Sequence, residues 1–118
     1  MADRDLRHIL QSQQFDPDFI DLIFQLTRRL KSKPMSAPEF KLLGLDGQHL
    51  FTLFYEPSTR TRMSFAVAGQ RLGMNVVWTE NAREFSSAIK GETLEDTIRV
   101  LCEYGPDAIV LRHYETGS

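Results

Sequence analysis

The sequence predicts an α/β protein in which a parallel sheet is joined by crossover helices. Three observations predict it. Short apolar runs of strand character alternate with helical patterns from residue 50 onwards. The first of those runs, Leu50-Phe51-Thr52-Leu53-Phe54-Tyr55, has no polar face, as a strand covered on both sides requires. Glycine or proline also punctuates the junctions, at Asp46-Gly47, Pro57, Gly73 and Gly105-Pro106.

Taken in order, a short helix is expected around Leu6 to Leu10. A longer one starts at Asp16-Pro17, where Asp16 can accept from the free N–H groups of the first turn and Pro17 suits the first helical position. Phe19, Ile20, Ile23, Phe24, Leu26 and Leu30 supply its apolar face. Its acidic residues come early and its basic ones late, as the helix dipole favours. Lys31 to Pro38 reads as a loop. After the Leu50–Tyr55 strand, Pro57-Ser58 stops the run. A helix follows with Phe65, Ala68 and Leu72 on one side and Gly73 as its stop. Met74 to Thr79 reads as a second strand with Trp78 in the core, and Glu80 to Lys90 as a surface loop. Leu94, Ile98, Leu101 and Cys102 then fall at helical spacing, with Cys102 expected as inert packing. Ala108-Ile109-Val110-Leu111 is the last strand. The expected architecture is a Rossmann-like three-layer α/β domain. Its sheet is narrow and no helix follows the last strand, so the chain reads as an incomplete domain of a larger protein.

Composition narrows the function classes. The 118 residues carry 14 Lys+Arg against 16 Asp+Glu, a formal charge of −2, which gives no electrostatic reason to expect nucleic acid or an anionic membrane as partner. An apolar fraction of 42% with 25% charged residues is that of a folded domain, and the length suits one domain, residues 1–118. No apolar run approaches the length of a membrane span, and the charged N-terminus lacks the apolar stretch of a signal peptide. Cys102 is the only cysteine, so a disulfide framework is excluded and a cytoplasmic setting is expected. His8, His49 and His113 show no metal-ligand spacing, and neither metal nor cofactor is expected.

The segment that can do chemistry is Glu56-Pro57-Ser58-Thr59-Arg60-Thr61-Arg62, between a strand and a helix. Free N–H groups at a helix start favour an anion, Ser58, Thr59 and Thr61 add hydroxyls, and Arg60 adds a planar fork matched to phosphate. The same residues could serve only locally, Ser58 or Thr59 as a helix cap and the arginines as solvated charges. Spacing leaves both uses open. A Walker loop is excluded, because its glycines and its Gly-Lys-Ser/Thr ending are missing.

The stretch Leu53-Phe54-Tyr55-Glu56-Pro57-Ser58-Thr59-Arg60-Thr61-Arg62-Met63-Ser64-Phe65 resembles the carbamoyl-phosphate motif of the aspartate and ornithine carbamoyltransferases. Further matches follow in the family's order: Arg71-Leu72-Gly73, then Ser86 to Lys90 with Gly91-Glu92-Thr93-Leu94, then Asp107 to His113. His8-Ile9-Leu10 and the helix from Phe15 agree as well. Glu-Pro before Ser-Thr-Arg-Thr-Arg, and Lys90 before Gly-Glu-Thr-Leu, favour the aspartate branch. Departures are Ala66, where the family usually has glutamate, and Ile89, where it is often small or basic.

The resemblance implies transfer of a carbamoyl group from carbamoyl phosphate to the amino group of L-aspartate, giving N-carbamoyl-L-aspartate and phosphate in de novo pyrimidine biosynthesis. The alternatives are an ornithine or other amino-acid carbamoyltransferase, or a non-catalytic truncated homologue with an assembly or regulatory role. By resemblance, Ser58, Thr59, Arg60 and Thr61 hold the phosphate, and Thr61 and Arg112 reach the carbonyl oxygen. Ser86 and Lys90 are donated to a neighbouring subunit's site, with Lys90 touching both phosphate and the incoming carboxylate. Arg60, Thr61, Arg112 and Lys90 form the catalytic set, with Glu56 and Glu92 as partners for arginines. A homotrimer is implied, and a regulatory subunit is left open. Because the family's aspartate-binding domain lies beyond Ser118, the polypeptide alone is expected to be inactive.

Overall fold

The structure, a computed structural model, describes residues 6–79 and 93–118. The chain divides into two compact units, Met1–Met35 and Ser36–Ser118.

In the first unit the expected helix at Leu6 to Leu10 does not form. Gln14 takes that backbone instead: its side-chain oxygen accepts from Leu10 N–H at 2.6 Å and Gln11 N–H at 2.9 Å, and its amide donates to His8 O at 2.8 Å. One apolar turn is too short to nucleate a helix, and a glutamine that closes a 3-10 turn over Ser12–Gln14 displaces it. Helix α1, Pro17–Ser32, begins as the sequence requires, with Asp16 Oδ1 accepting from Phe19 N–H at 2.8 Å. It runs two residues into the expected loop, with Arg29 and Lys31 in its last turn.

The second unit opens with a short helix that the loop reading missed, α2, Ala37–Lys41. Pro38 was read as a breaker, but it stands in the first turn, where its missing N–H costs nothing. Ser36 N–H and Oγ both donate to Glu39 Oε2, at 2.7 and 2.9 Å, and these bonds hold the Glu39 carboxyl below its ordinary range.

There follow β1 (His49–Phe54), α3 (Thr59–Arg71), β2 (Asn75–Trp78), α4 (Leu94–Glu103) and β3 (Ala108–Arg112). The sheet is parallel with order β2-β1-β3, so the most apolar strand is central. Leu50, Phe51, Thr52, Leu53, Phe54 and Tyr55 are all buried. Its two faces meet different helices. Leu53 and Tyr55 receive Leu94, Ile98 and Leu101 of α4. Leu50, on the opposite face, receives α3 at Gly69, where an added Cβ would lie 2.7 Å from Leu50 Cδ2 and 2.9 Å from Val76 Cγ2. Two helices on opposite faces make the three layers the sequence predicts.

Three expectations need correction. The packing face of α3 is Ala66, Gly69 and Leu72, not Phe65 and Ala68, which are exposed: the helix approaches the sheet too closely for a large residue at the contact. Trp78 is 53% exposed, because β2 is an edge strand and Trp78 is its last residue. Cys102 is exposed as well, one step around α4 from the Leu94-Ile98-Leu101 stripe. Expectations for Glu80 to Lys90 fall outside the described residues.

Candidate active site

The order β2-β1-β3 makes the chain leave β1 to one side and return to the other. The connections therefore diverge at the carboxyl ends of β1 and β3, the position at which open α/β sheets leave a ligand crevice. Both segments singled out in the sequence arrive there. Residues 56–61 leave β1 and open α3, while Arg112 ends β3 in register with Phe54.

Ser58 occupies the N-cap position of α3 yet makes no side-chain cap. Thr93, in the same position on α4, does cap, its Oγ1 accepting from Asp96 N–H at 3.1 Å. Ser58 Oγ instead accepts from Arg112 Nη1 at 3.1 Å. Nη1 also reaches Thr61 Oγ1 at 3.5 Å, and Arg112 Nε donates to Glu56 Oε2 at 3.0 Å. A guanidinium from one strand end thus bridges a carboxylate and two hydroxyls from the next. The first intrahelical bond of α3 is Arg62 N–H to Ser58 O at 3.0 Å, so the N–H groups of Thr59, Arg60 and Thr61 precede the ladder, as at any helix start. The Arg112–Glu56 pair is partly exposed, with relative accessibilities of 43% and 38%, and such pairs contribute at most about 1 kcal/mol. An anion could exchange for that carboxylate at small cost.

Of the predicted site residues, the fold brings Ser58, Thr61 and Arg112 together. Thr59 and Arg60 lie exposed in the first turn of α3, and among the described residues no hydrogen bond joins either to that cluster. Ser86, Lys90 and Glu92 lie outside the described residues. Glu56 meets an arginine, as its reading as an arginine partner expects.

A family model described as the aspartate/ornithine carbamoyltransferase carbamoyl-P binding domain matches residues 7–118. The chain belongs to this family. It is 53% identical over 113 residues to the pea (Pisum sativum) chloroplastic aspartate carbamoyltransferase 3, covering 96% of this chain and 28% of that one. Among solved structures, the catalytic subunit of M. jannaschii aspartate transcarbamoylase superposes with a TM-score of 0.75 at 38% identity, over 95% of this chain and 35% of that one. Aspartate transcarbamoylase from Trypanosoma cruzi, solved with carbamoyl phosphate and aspartate, gives 0.71 at 37%, over 89% and 31%. The chain therefore spans about a third or less of the length of these relatives. The chloroplastic location carried by the pea protein, and by relatives in Arabidopsis thaliana and rice, overturns the cytoplasmic expectation. One unpaired cysteine excludes a disulfide framework, but any compartment that keeps thiols reduced satisfies that condition.

Proposed function

We propose that this chain forms the carbamoyl-phosphate-binding part of an aspartate carbamoyltransferase, with residues 1–118 belonging to that domain. The observation that carries the reading is Arg112 meeting Ser58 and Thr61 at the crevice between β1 and β3. A serine at an N-cap position that bonds an arginine from another strand, and leaves the helix N–H groups uncapped, suits an anion better than it suits the helix.

The chemistry follows from the charges. The amino group of L-aspartate attacks the carbamoyl carbon, negative charge grows on the carbonyl oxygen, and the C–O bond to phosphate breaks with phosphate leaving as an anion. Catalysis then comes from positioning and from fixed positive charge. In this reading Ser58, Thr59, Arg60 and Thr61 take the phosphate, and the carbonyl oxygen is met by Thr61 and Arg112. Arg112 exchanges Glu56 for ligand. One donor to a developing oxyanion is worth about 3 kcal/mol. Ser86 and Lys90 would serve a neighbouring subunit of a homotrimer, and the relatives' location points to a plastid.

Calorimetric titration of the 118-residue chain with carbamoyl phosphate tests the reading. The expected result is saturable binding that inorganic phosphate displaces. Absence of binding from a folded chain would sink it.

A further inference from the structure

The β1–β3 ladder ends at a defined point. Phe54 and Arg112 are its last register pair, and Tyr55 N–H donates to Arg112 O at 2.8 Å. Beyond that bond the strands part, one through Glu56 into α3, the other into the turn at residues 113–118. The next contact between them is between rings. Tyr55 and His113 have centroids 4.8 Å apart with planes at 59°, and Tyr114 stacks on His113 at 4.2 Å and 24°. Tyr55 is buried against α4 with Leu53. Side chains alternate along a strand, so this ring pair lies on the α4 side while Arg112 turns to Ser58 and Thr61 at the start of α3.

The imidazole is held by the turn that follows it. Glu115 N–H points at His113 Nδ1, 3.1 Å away, and Ser118 Oγ lies 2.8 Å from the same nitrogen. Ser118 Oγ also donates to Glu115 O at 2.7 Å, so the turn that follows β3 closes on the ring at Nδ1.

We propose that His113 is a positioning residue for Arg112. Glu115 N–H fixes the ring, the ring rests on Tyr55, and the carboxyl end of β3 is thereby held against that of β1. Tyr55 is bonded to Glu56, and His113 to Arg112. One ring contact on the α4 side therefore sets both members of the ion pair on the other side. Among the described residues no hydrogen bond joins His113 to Ser58 or Thr61, and it takes no part in bond making. Its functional weight rests on the reading of Arg112 as a ligand-binding group, for which misplacement by about 1 Å can cost a hundredfold.

The experiment is NMR of the 15N-labelled 118-residue chain. The Arg112 Nε–H resonance, set apart by its bond to Glu56, should move to the position of a solvated arginine in His113→Ala and in His113→Phe. The Asp96 N–H resonance at the α4 cap should stay in place in both. If His113→Ala fails to fold, His113→Phe carries the test, since it keeps a ring on Tyr55 and removes only the acceptor. An unmoved Arg112 Nε–H in a folded variant would overturn the proposal. Carbamoyl phosphate titration is a separate arm, with affinity expected to fall roughly tenfold in the variants. If the native chain binds none, the proposed function fails, while the arginine resonance still decides whether His113 positions Arg112.

Discussion

The two ends of the sheet use polar side chains in opposite ways. At the amino end they bond backbone: Asp107 Oδ2 accepts from His49 N–H at 2.8 Å, and Asn75 Nδ2 donates to Gly47 O at 3.3 Å. Main-chain bonds reinforce this end, Gly47 N–H to Gly73 O at 3.0 Å and Asp107 N–H to His49 O at 2.9 Å. At the carboxyl end, Glu56, Ser58, Thr61 and Arg112 bond one another through side chains. Side chains that hold backbone cannot be displaced without loosening the fold. Side chains that hold only each other can be taken over by a ligand. The contrast separates scaffold from site within one sheet, and it can be broken or sharpened by mutation.

Arg112→Ala should show the largest effect. It removes the cation common to the bonds of Glu56, Ser58 and Thr61, so carbamoyl phosphate affinity should drop on the order of a hundredfold by calorimetry. The denaturation midpoint should barely change, because an exposed pair contributes so little. Asp107→Ala should do the reverse at the amino end, lowering stability in urea by about 1.5 kcal/mol with ligand affinity kept.

The two N-cap positions give a finer contrast. Thr93→Ala deletes a working cap and should cost about 1 kcal/mol of stability. Ser58→Ala deletes none, so stability should hold while binding weakens. A large stability loss in Ser58→Ala would show that the hydroxyl serves the helix after all.

The smallest expected effect is a pH response away from both ends. The Glu39 carboxyl is held below its ordinary range first by Ser36 N–H and then by Ser36 Oγ. A depressed carboxyl stabilises the fold above its unfolded value and loses that contribution as pH falls through the folded value. The Ser36 amide resonance should therefore shift in acid, below the usual glutamate range, while the Asp96 amide at the Thr93 cap follows a separate course.

Much of this was readable in the chain, for local reasons. Asp16-Pro17 states a helix start, Gly73 a stop, and Leu50 to Tyr55 a strand covered on both sides, because each depends on a few adjacent residues. The strand-to-helix junction marks Ser58, Thr59, Arg60 and Thr61, of which the fold joins Ser58 and Thr61 to Arg112. What failed depended on neighbours distant in sequence. Trp78 looked like core because it follows two valines in a strand, and Gly69 was overlooked because its role is to be small where Leu50 and Val76 approach.

By itself, the sequence determined the types of the longer elements, the Asp16 cap and the anion-suited motif, since hydrogen bonding and side-chain periodicity act within a few residues. The tertiary structure decided the strand order, and with it which strand ends share a crevice. Arg112 stands 54 positions from Ser58 along the chain. Only a crossover that returns β3 to the far side of β1 could join them, and that pairing is set by long-range burial of β1, which no local pattern encodes.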